Sequence, residues 1–101
     1  MLFGVGKKEE VSAIAGLIGI PDPGIGKGSS VYKELFDAIC AALAIEAGGT
    51  MPQQAQRIVT AANLPYQATW FDSRLTQSGG GSTVTLEGLR AIKQAVAVLV
   101  Q

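Results

Sequence analysis

The chain has 101 residues, in which eight lysines and arginines balance eight aspartates and glutamates, with no histidine and a single cysteine. This length fits one domain, taken as 1–101, and a hydrophobic content of 48% excludes an extended disordered tail. Without histidine there is no His-based acid/base pair and no Ser-His-Asp arrangement, and Cys40 alone cannot form an internal disulfide or a four-thiolate metal site.

A net charge near zero gives no whole-protein field that would draw the chain onto nucleic acid or an anionic membrane. No apolar run approaches the ~20 residues that a spanning helix needs. The segment MLFGVGKKEE does not read as a secretory signal, because its short apolar part precedes the lysines. A cytoplasmic protein with no cofactor, no metal and no membrane partner is the expectation.

Val11, Ile14, Ala15 and Ile18 recur at spacings of three and four, which predicts a short helix over 8–18. Glu9 and Glu10 lie in its first turn, at the positive end of its dipole. Gly19 and the run Pro21-Asp22-Pro23-Gly24 stop it and open a glycine-rich loop over 19–29. Ser30 is the expected N-cap of a second helix whose apolar face is Val31, Leu35, Phe36, Ile39, Cys40 and Leu43. Gly48-Gly49 is its expected stop. Thr50 and Gln53 have capping-box spacing, so a third helix should begin at Met51, where Pro52 is tolerated in the first turn. Ala55, Ile58, Val59 and Ala62 are its core face, Gln53, Gln54, Gln56, Arg57 and Thr60 its wet face, and Asn63 and Pro65 its end.

Residues 66–84 have no helical period. A small β-hairpin over 73–85 is the expectation there, pairing Arg74-Leu75-Thr76 with Thr83-Val84-Thr85 across a Gly79-Gly80-Gly81 tip. Such a ribbon is marginal unless it packs on the helices. Thr85 should cap a last helix from Leu86 to about Val100, with Leu89, Ile92, Val96 and Leu99 inward and Arg90, Lys93 and Gln94 outward. The fold class that results is mainly α, a small orthogonal or bundle-like domain of four helices.

Three constellations bear on function. Gly24-Ile25-Gly26-Lys27-Gly28-Ser29-Ser30 before a helix has the amides, lysine and hydroxyls of a phosphate cradle. It departs from the nucleotide-binding pattern GxxxxGK[ST] at its first glycine and at its magnesium-holding hydroxyl, so a capping loop is the favoured reading. Gln54 to Leu75 can be laid on a helix-turn-helix, with Asn63-Leu64-Pro65 as the turn and Tyr66 to Leu75 as the reading helix. DNA binding through Lys27, Ser29, Arg57 and Arg74 is accordingly the alternative function. A phosphate-handling enzyme built on Asp72, Arg74 and the glycine loop ranks last, and catalysis is not expected. Cys40, on an apolar face with no activating base, reads as a buried structural thiol.

The leading expectation is a non-catalytic module that binds protein, itself or another. Past Gln94 the run Ala95-Val96-Ala97-Val98-Leu99-Val100 is apolar on every side, and such a helix end is usually covered. Val98 and Val100 would meet water on a monomer, which points to a homodimer or to a fragment of a longer protein. Further surface is expected from Trp70 and Phe71, or from Val11 and Ile18 of the first helix. For Trp70, a core position is favoured over an interface.

Overall fold

The computed structural model describes residues 6–21, 31–71 and 84–101. They form four α-helices, α1 (Lys7–Ile18), α2 (Val31–Leu43), α3 (Met51–Ala61) and α4 (Leu86–Leu99), with one 3-10 turn at Ala68–Trp70. α4 packs most extensively on α1 and also touches α3 and the 3-10 turn, while α2 packs on α3 and α1. No sheet occurs among the described residues; Phe71 and Val84 form an isolated antiparallel bridge. Residues 73–83 of the expected hairpin lie outside the described part, as do the 22–30 loop and Ser30.

Side chains placed by sequence spacing hold the starts of three helices. The Glu9 carboxylate accepts the Gly6 N–H at 2.9 Å. Thr50 and Gln53 close the expected capping box: Gln53 N–H donates to Thr50 Oγ1 at 3.3 Å, and Thr50 N–H to Gln53 Oε1 at 2.8 Å. Thr85 Oγ1 accepts the Gly88 N–H at 3.1 Å.

One device recurs at the ends. α1, α2 and α3 each finish on a left-handed residue, Gly19 (φ 76°), Ala44 (φ 58°) and Asn63 (φ 61°). The next residue then bonds back five positions: Ile20 to Ala15 at 3.0 Å, Ile45 to Cys40 at 2.8 Å and Leu64 to Val59 at 2.8 Å. These are Schellman closures, in which the residue after the left-handed one turns apolar surface inward. Ile20, Ile45 and Leu64 all pack against the core. This corrects the expected end of α2. The helix stops at Leu43, well before Gly48-Gly49, because turning the chain at Ala44 brings Ile45 and Ala47 onto the core.

The core draws Val11 and Ile14 from α1, Leu35, Phe36 and Ile39 from α2, Ile58 and Val59 from α3, and Leu89, Ile92 and Val96 from α4, all fully buried. Leu99, expected among them, is half-buried, and Ala95 is inside instead. Trp70 and Val84 bring the irregular segment into the same cluster.

Gly88 is essential to that arrangement. A Cβ there would stand 2.7 Å from both Trp70 Cβ and Val84 Cγ2, closer than packed carbons approach. Trp70 and Val84 therefore close on α4 only because residue 88 lacks a side chain.

Two substitutions should shift stability in opposite directions. Gly88→Ala forces Trp70 and Val84 apart and should lower unfolding free energy by about 1–3 kcal/mol. Ala44→Gly relieves a left-handed alanine at an exposed site and should raise it by about 1 kcal/mol. Urea midpoints of the two variants against the parent check both; a neutral Gly88→Ala would mean that α4 does not sit this close to Trp70.

Candidate functional site

Among the described residues the exposed apolar surface is confined to a few places. The exposed large hydrophobics among them are Val98 at 47%, Val100 at 40% and Leu17 at 38%. Val98 and Val100 belong to the last turn of α4 and its C-cap, separated by the half-buried Ala97 from the buried pair Ala95 and Val96. Two residues apart on a helix is a rotation of about 200°, so these valines stand on opposite sides of the tip. A partner that covers both must cup the end of α4; lying along one stripe would reach only one of them.

The other interface candidates fall differently. Trp70 is buried, 4% exposed, with Tyr66 edge-on to it at 5.3 Å between ring centroids. It is a core residue, the favoured of its two readings. Phe71 is half-buried and meets Phe36 edge-on at 6.2 Å. Val11, expected to add surface from the first helix, is fully buried and adds none, and Ile18 is half-buried against the core.

The reading helix of the alternative reading, Tyr66 to Leu75, does not form over 66–71, where the chain makes only the short 3-10 turn; 72–75 lie outside the described residues. Phe71 follows that turn in extended conformation, φ −120° and ψ 133°, and joins the bridge to Val84. The Trp70 side chain is drawn into the core at this point, and a continuing helix would break the bridge. Arg57, the one nucleic-acid candidate among the described residues, has its guanidinium engaged at the surface of its own chain: Nη1 donates to the backbone carbonyls of Glu46 and Gly48. It clamps the α2–α3 connection. Lys27, Ser29 and Arg74 lie outside the described residues.

Polar chemistry in the described residues is organised around ties between helices. Gln54, expected on the wet face of α3, is fully buried. Its Nε2 donates to Asp37 Oδ1 on α2 and to the Ala47 carbonyl, each at 2.7 Å, while its Oε1 has no partner. An orphaned buried carbonyl costs about 1–3 kcal/mol, so the two donated bonds must carry the position. Asp37 also accepts from Lys33 Nζ at 2.8 Å. The Lys33 bond and then the Gln54 bond hold the Asp37 carboxyl below its ordinary range. Across the molecule, Glu10 on α1 is 12% exposed and meets Lys93 Nζ at 2.7 Å and Arg90 Nε at 3.7 Å, fastening α1 to α4. The Cys40 thiol is buried, and desolvation, followed by the Asp37 charge, pushes its pKa up. A raised pKa keeps it protonated and unreactive at neutral pH.

Among the described residues no three His, Cys, Asp or Glu side chains are grouped to hold a metal ion, and no helix is long and apolar enough to cross a membrane. No protein-family model, curated protein or solved structure matches the chain.

The Asp37 ties have a pH signature. Its carboxyl is depressed in the folded state, so the stability it contributes is fully present above the unfolded value, about 3.9, and is lost as pH falls through the folded value. The Lys33 pair is solvent-exposed, which keeps the whole contribution to at most about 1 kcal/mol. Asp37→Asn should therefore be less stable than the parent at neutral pH, and the difference should vanish in acid. Urea midpoints of both proteins across that range test this; a difference that grew on acidification would contradict it.

Proposed function

We propose that the protein is a non-catalytic helical module that mediates protein–protein association, pairing with a second copy of itself through the C-terminal tip of α4. The observation that carries this reading is the exposure of Val98 and Val100 just past the buried Ala95 and Val96. Elsewhere the helices turn their large aliphatic residues inward, Leu17 apart, so apolar exposure at this tip departs from the pattern of the rest of the fold.

The energetics set a condition. Both valines are already half-covered, and burying what remains of them gains only about 1–2 kcal/mol. Association costs several kilocalories per mole in lost freedom, and a specific interface usually buries about 800 Å² per partner. The tip is the anchor of the contact, and polar and backbone surface around it must supply the rest. A net charge near zero imposes little long-range repulsion between copies.

Sedimentation equilibrium tests the reading. At roughly 100 μM protein, a dimer with a dissociation constant near 10 μM is mostly formed. The chain should then show dimer mass, and Val98→Lys should show monomer mass while remaining folded, melting where the parent melts once diluted to its monomer. A parent protein that remains monomeric under these conditions rules out self-association of useful strength. A Val98→Lys protein that unfolds would place Val98 in the core and remove the interface.

A further inference from the structure

Charge is unevenly placed along the two helices that pack most extensively on each other, α1 and α4. In α1 the charged side chains are Lys7, Lys8, Glu9 and Glu10, and none follows through Ile20. In α4 the last is Lys93, and residues 94–101 carry no charged side chain. The exposed large hydrophobics among the described residues, Leu17, Val98 and Val100, all fall in these uncharged halves.

A run of contacts joins the starts of three helices. Lys7 Nζ, in the first turn of α1, stands 5.8 Å from the centroid of the Tyr32 ring in the first turn of α2. Phe36, one turn further along α2, meets Phe71, and Phe71 bridges Val84 just ahead of α4. This gathers the starts of α1, α2 and α4 at one end of the molecule, with α1 and α4 running in the same direction. The Glu10–Lys93 pair sets their register. Leu17 lies seven residues beyond Glu10, and Val100 seven beyond Lys93. Each step is two turns, about 10 Å, along one stripe of its helix.

We propose that the ends of α1 and α4 form one continuous uncharged face, with Leu17 beside Val100, and that a second copy of the chain docks on it end to end. This rests on the self-association reading and enlarges its surface beyond the α4 tip. Adding α1 widens the contact from one helix end, about 10 Å across, to two side by side, a step toward the about 800 Å² that each partner contributes to a stable pair. The exposed positions of α1 between Glu9 and Gly19 are Ser12, Ala13, Gly16 and Leu17, so covering them desolvates no charge. The lack of charge also suits a copy as occupant. Near the two-fold axis of an isologous pair each residue meets its own image, where a charged side chain would face a like charge. The α2–α3 connection, with Glu46 and the Arg57 guanidinium held on its carbonyls, supplies polar groups for the rim. A lipid surface fits less well, because the two helix ends carry no lysine or arginine to meet headgroups.

Two measurements on the intact chain test this. In the Val98→Lys protein, where pairing through the tip is blocked, methyl NOEs should connect Leu17 to Val100; their absence would overturn the shared face. By sedimentation equilibrium, Leu17→Lys should raise the dissociation constant of the dimer at least tenfold, because it buries a charge without a partner. Lys8→Glu, at the charged start of the same helix, should change that constant less than twofold. Should the Leu17→Lys protein be unfolded, Leu17→Ser takes its place, with a rise of about threefold expected from the lost burial. A dimer that the Leu17 variants leave intact while Val98→Lys dissociates it would confine the contact to the α4 tip and overturn this inference alone. An equal loss from Lys8→Glu would overturn the end-to-end arrangement. A monomeric parent would overturn both this inference and the reading on which it rests.

Discussion

Gly88 lets the first turn of α4 close onto Trp70 and Val84 at a distance that any β-carbon would forbid. The Phe71–Val84 bridge and the Thr85 N–H bonded to the Trp70 carbonyl at 2.7 Å secure the same joint. Thr85 then caps α4, so the start of the helix that touches α1, α3 and the 3-10 turn is fixed by the segment that it buries. Burying an indole here joins the 3-10 turn to the helical core.

The helices were legible because their apolar spacing is regular and their caps are local. Thr50 with Gln53, and Thr85 ahead of Leu86, satisfy amides within one turn, so sequence separation and spatial separation agree. The end of α2 was not legible from its glycines. A Schellman closure at Ala44 depends on Ile45 finding a place in the core, which is a long-range fact, and alanine gives no signal of left-handed geometry. Gln54 was misplaced for a related reason. Its polarity suggests water, yet it lies three residues after Met51 and four before Ile58, on the stripe that packs inward. Helical period outranked side-chain type there, and Asp37 and the Ala47 carbonyl supply the compensation that α3 alone cannot reveal.

The candidate site shows the same division. Exposure of Val98 and Val100 followed from an apolar run too long for one face of a helix, a property of the sequence itself. The Glu10 pairing with Lys93 and Arg90 did not, because it joins helices far apart in the chain. Neither did the task of Arg57, whose guanidinium holds backbone carbonyls that exist as acceptors only once α2 has ended early. Each cationic side chain seen to bridge elements is occupied within the fold.

The joint at Trp70 can be measured at one atom. Hydrogen exchange at the Thr85 amide reports the bond to the Trp70 carbonyl directly, outside the internal ladder of any helix. If this contact holds the irregular segment to the core, Thr85 should exchange with protection comparable to the Ile92 amide in the middle of α4. Exchange of Thr85 at the rate of a free, solvated amide, while Ile92 remains protected, would show that α4 forms without this joint and would contradict the account.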